Sequence, residues 1–81
     1  MISNEIAVAI ANMAIFCEFC SPELLDEDTA IQAMEQLGSD LHALDENSRR
    51  ELANSLRLIA TRYEGETREF VENMPDAFGI E

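Results

Sequence analysis

No lysine occurs in this 81-residue chain, and its cations are five arginines, all at or beyond Arg49. Residues 1–48 therefore hold ten carboxylates and no basic side chain, a formal −10, against −2 for residues 49–81. Such a field repels phosphate backbones and anionic membrane surfaces and speeds encounter with basic partners, which argues against nucleic-acid and membrane binding. Glycine is scarce too. The three glycines stand apart at 38, 65 and 79, so no glycine-rich loop can cradle a phosphate.

Catalytic and metal chemistry are equally short of parts. The single histidine, His42, has no carboxylate three residues before it, where Ser39 stands, and no glycine-rich oxyanion loop nearby. Ser21, Ser39, Ser48 and Ser55 each have a capping or surface role, which leaves no nucleophile with an orienting base. Cys17-Glu18-Phe19-Cys20 has the spacing of redox and metal motifs, but it falls at a helix C-terminus beside Glu18, where dipole and charge both oppose a thiolate. Structural zinc would need a second ligand pair. We therefore expect buried, reduced thiols, no enzyme, no cofactor and no metal.

What the chain does have is apolar residues, 47% of the total, enough to fold despite a net charge of −12. The length sets a single domain, 1–81, near the lower limit for a self-sufficient core. Ile6 to Cys20 is the richest apolar stretch. Asn12 and Glu18 interrupt it, it lacks a basic leading region, and it falls short of the roughly 18 to 20 residues that span a bilayer. It reads as a helix in a cytoplasmic protein. At 100° per residue, Phe16, Ala9, Met13, Ile6, Cys17 and Ile10 form one stripe, and Val8, Ile15 and Phe19 form another. A helix apolar on two sides is expected at the centre of a bundle, with Val8, Ile15 and Phe19 available for self-association.

Ser3 or Asn4 can cap this helix, and Ser21-Pro22 stops it and can open a single turn over Pro22–Leu25. Ala30, Ile31, Met34, Leu37, Leu41 and Leu44 then repeat at helical spacing after three carboxylates, giving a second helix over about 27–44. Gly38 inside it permits close helix contact or a bend. Asp45 caps a third helix over about 46–63, laced by Asp45 with Arg49 and Glu46 with Arg50, and Gly65 ends it in the left-handed region. Phe70, Val71 and Met74 indicate a short fourth helix that Pro75 closes, with Phe78 and Ile80 packing back on the bundle. The expected fold is all-α: a small bundle of three long helices plus a short C-terminal helix, dimer-forming through the first.

The acidic residues Asp26, Glu27, Asp28, Glu35 and Asp40 concentrate on the second helix and its approach, without the interspersed Lys and Arg of an ordinary solvated face. This pattern favours a protein partner.

The run from Leu25-Asp26-Glu27-Asp28-Thr29-Ala30 through Leu41, then Leu44-Asp45 through Leu52, then Arg68-Glu69-Phe70 through Met74-Pro75-Asp76-Ala77-Phe78-Gly79, in a small, lysine-free, acidic helical chain, resembles the immunity proteins that bacteria encode beside secreted or contact-delivered toxins. The resemblance implies a cytosolic protein that docks on a cognate toxin or effector and covers a basic active-site cleft. The five carboxylates above would supply the electrostatic surface. The alternative is a structural or regulatory helical dimer whose acidity serves solubility.

Overall fold

Three of the four α-helices begin where a side-chain oxygen replaces a missing backbone partner. The computed structural model describes residues 3–80, and in it Ser3 accepts from the amide of Ile6, Asp26 from Thr29 and Asp45 from Ser48. They open α1 (Asn4–Phe19), α2 (Glu27–His42) and α3 (Glu46–Ile59), and α4 (Gly65–Ala77) completes the set. Ser21 accepts from the amides of Leu24 and Leu25, forming the expected turn between α1 and α2. A 3₁₀ turn over Ala60–Arg62 ends α3, and Gly65 enters α4 at φ 59°. No strand occurs among the described residues, and no helix among them is long and apolar enough to cross a membrane.

The fourth helix differs from expectation. It has 13 residues, one fewer than α3, and runs through Pro75. Pro75 lies in the last turn, and the helix closes beyond it: the amide of Ile80 donates to the Pro75 carbonyl at 3.0 Å and that of Gly79 to Asp76 at 3.1 Å, with Gly79 at φ 65°. This paired Schellman closure, with Pro75 and Ile80 both fully buried, is what stops α4. A glycine two residues past the helix supersedes the proline inside it.

The core is built from α3 and α4 against a stripe of small residues on α1. Leu52, Leu56, Ile59, Val71, Met74 and Ile80 are fully buried, each contributing on the order of 1.5–3 kcal/mol of hydrophobic transfer. Facing them on α1 are Ala7, Ala11 and Ala14, all at 0% exposure, and then Cys17. The core thus falls between the two stripes read from the sequence. Val8, Ile10, Ile15 and Cys17 flank it, while Ile6, Met13 and Phe16, on the far side of the first stripe, are about half exposed. The periodicity of a helix that is apolar nearly all round cannot say which arc faces inward; small residues let the helices approach closely, and that settled it.

As expected for a central helix, α1 packs against α2, α3 and α4. Helix α2, by contrast, makes its extended contact with α1 alone. The three-residue connection between α2 and α3, Ala43–Asp45, is therefore a sharp corner. Arg49 fastens it by donating from Nη1 to the carbonyl of His42 at 3.4 Å, satisfying one of the open carbonyls at the end of α2, while Glu46 and Arg50 pair at 3.2 Å as the sequence predicts.

Candidate functional site

Because α2 leans on one neighbour, it buries little of itself. Leu41 is its only buried side chain; Ala30, Met34 and Leu37 are half-buried, and Ile31 is 49% exposed. Between α2, α4 and the C-terminal turn of α1 lies an open groove of about 730 Å³. Ile31 and Met34 of α2, Cys17 of α1, and Phe70, Ala77 and Phe78 of α4 supply its apolar lining. Glu18, Glu27 and Glu35 supply its charge, and no basic residue lines it.

Two aromatic contacts set the spacing of its walls. Phe78 meets α2 at Gly38, where an added Cβ would stand 3.2 Å from the ring's Cδ1, so the glycine lets the ring pack closely on the helix. Phe70 meets Phe19 edge to face, with ring centroids 5.6 Å apart and planes at 78°. On this side the lining reaches from Phe70 of α4 to the residue that caps it, Phe78, eight residue steps or about 12 Å at 1.5 Å per step. Its polar groups do not converge: among the described residues, no three His, Cys, Asp or Glu side chains are grouped to hold a metal ion.

The five carboxylates read from the sequence are all exposed, but the fold disperses them. Glu27 and Glu35 line the groove, and Asp28, two turns before Glu35, shares its edge of α2. Asp26 is occupied as the N-cap, accepting from both the amide and the hydroxyl of Thr29 at 3.2 and 3.3 Å. Asp40 lies roughly 140° around the helix from Glu35, with Oδ1 accepting from Gln36 Nε2 at 2.9 Å. Of the residues read for self-association, Val8 and Ile15 are half-buried against their own core, and Phe19 is half exposed beside Phe70.

Glu18, Phe70 and Phe78 belong to the groove although the sequence reading did not place them in a site. Phe70, Ala77 and Phe78 fall within about 100° of one another on a continuous helix, a signal hidden by treating Pro75 as the helix end. Cys17 is buried at the groove's edge and Cys20 is half-buried; both are free thiols. His42 is exposed at the end of α2.

No family model, no curated protein and no solved structure matches the chain.

Proposed function

We propose that the chain is a non-catalytic, cytoplasmic immunity protein that binds a cognate bacterial toxin or effector and inhibits it by occluding a basic active-site cleft. The observation that carries this reading is the joining of an exposed apolar lining to carboxylates without counter-charge along α2. Long-range charge would steer a basic partner to this side of the molecule, and the apolar anchors would set how long it stays. The test is to express each gene beside this one in its native genome, alone and with this chain. A product that arrests growth alone, is neutralised by co-expression and co-purifies with the chain at equal stoichiometry supports the reading. Neighbours that are all harmless, or a toxic one that the chain neither binds nor neutralises, overturn it.

A second reading, a structural or regulatory helical dimer, is favoured by the outer face of α1. Ile6 is 51% exposed, Met13 58% and Phe16 53%, a continuous apolar arc opposite the core. Since Val8 and Ile15 pack within the chain, a dimer through α1 would rest on this arc. Sedimentation velocity on the parent and on Met13→Glu distinguishes the readings: a dimer that the variant dissociates supports the second, and a parent that stays monomeric sets it aside.

A further inference from the structure

We infer that the groove between α2 and α4 receives a cationic amphipathic helix from the partner, a refinement that rests on the inhibitor reading. The groove is walled entirely by helices, whose backbone groups are spent on their own hydrogen bonds, so it offers no sheet edge for an extended segment to join. An occupant must satisfy its own backbone, which a helix does. Its length agrees: apolar anchors at positions i, i+3 or i+4, and i+7 span about 10.5 Å, against about 12 Å of lining from Phe70 to Phe78.

The charge selects the flanks of that helix. Glu18, Glu27 and Glu35 border the apolar lining with no base among them, so Arg or Lys beside the anchors gains attraction and an acidic segment is rejected. Met34, unbranched and half-buried, can adjust to anchors of differing shape. A second copy of this chain at net charge −12 is a poorer match than a basic partner.

The probe is an 18-residue fluorescent peptide of Leu and Arg, with Leu at i, i+3, i+4 and i+7 spacing, titrated by fluorescence anisotropy with the full chain at low and moderate salt. We expect saturable binding that weakens with salt, at least tenfold weaker binding of the same residues in scrambled order, and none of a Leu/Glu counterpart. Ile31→Arg and Glu35→Arg should each weaken binding at least tenfold. Leu58→Arg, on the exposed face of α3 and also 65% exposed in the parent side chain, should leave it unchanged. Circular dichroism and thermal melting verify that each variant folds. Equal binding of the scrambled peptide would show charge attraction without a groove and overturn the inference, as would equal effects of Ile31→Arg and Leu58→Arg. Self-association of the parent that Ile31→Arg removes would make a second copy the occupant, and overturns it too. The two proposals fail separately: neutralisation of a toxin by parent and Ile31→Arg alike would sink the groove and leave the inhibitor reading intact. Groove-specific peptide binding with no neutralised neighbour would do the reverse.

Discussion

The phenolic hydroxyl of Tyr63 donates to Oδ1 of Asn12 at 2.7 Å, tying the end of the 3₁₀ turn to the middle of α1 across 51 residues of sequence. It gives a reason for Asn12, the polar residue at the middle of the apolar run. Tyr63→Phe and Asn12→Ala should each cost about 0.5–1 kcal/mol, at the low end because Asn12 is open to water. In a double-mutant cycle by urea unfolding, the pair should cost less than the sum of the two single changes. Strict additivity would mean that the bond contributes nothing.

The orientation of α1 makes a sharper prediction. Ala11 is fully buried against the core, whereas Met13, two residues on, is 58% exposed. Ala11→Leu should destabilise by about 1–3 kcal/mol through overpacking, and Met13→Ala should change stability by no more than about 0.5 kcal/mol. The opposite ranking in thermal or urea unfolding would place the helix the other way round.

Two glycines should respond oppositely to alanine. Gly79, at φ 65°, should lose about 1–2 kcal/mol on Gly79→Ala, because a side chain is strained in the left-handed region. Gly38→Ala removes a helix-interior glycine and asks only that the Phe78 ring, half-buried beside the open groove, give by a few tenths of an ångström. A net gain below about 1 kcal/mol is expected. Differential scanning calorimetry of the two variants gives both signs.

Asp45 should make the stability depend on acid in a defined window. The Ser48 hydroxyl, donating to Oδ1 at 2.6 Å, and then the Ser48 amide hold its carboxyl below the ordinary 3.8. The folded pKa lies below the unfolded one, so this contribution is complete above 3.8 and is lost as pH falls through the folded value. Asp45→Asn keeps a capping side chain without the titration. The stability difference between parent and variant should be constant at neutral pH and change progressively as the pH falls toward 3.8 and then through the lower folded value.

Helix positions were legible in this sequence because they depend on local chemistry. Asp45, the carboxylates ahead of Ala30 and the Ser21-Pro22 turn all act within a few residues, and the helices begin and end close to where they indicate. Inward faces were less legible. On α1, almost every arc is apolar, so Ala7, Ala11 and Ala14 were chosen by how closely α3 and α4 can approach, a property of three helices at once. The groove was hidden for the same reason: its lining joins Ile31, Cys17 and Phe78, which are distant in sequence, and it extends past Pro75, where a proline was expected to close the helix.

The measurement that tests the docking claim most directly is amide chemical-shift mapping of the isotopically labelled chain during titration with the Leu/Arg peptide. Binding in the groove predicts shifts centred on Ile31, Met34, Glu35 and Gly38 of α2 and on Ala77 and Phe78 of α4, with Ile6, Met13 and Leu58 unmoved. Shifts centred on Ile6, Met13 and Phe16, or spread evenly over every acidic residue, would contradict it.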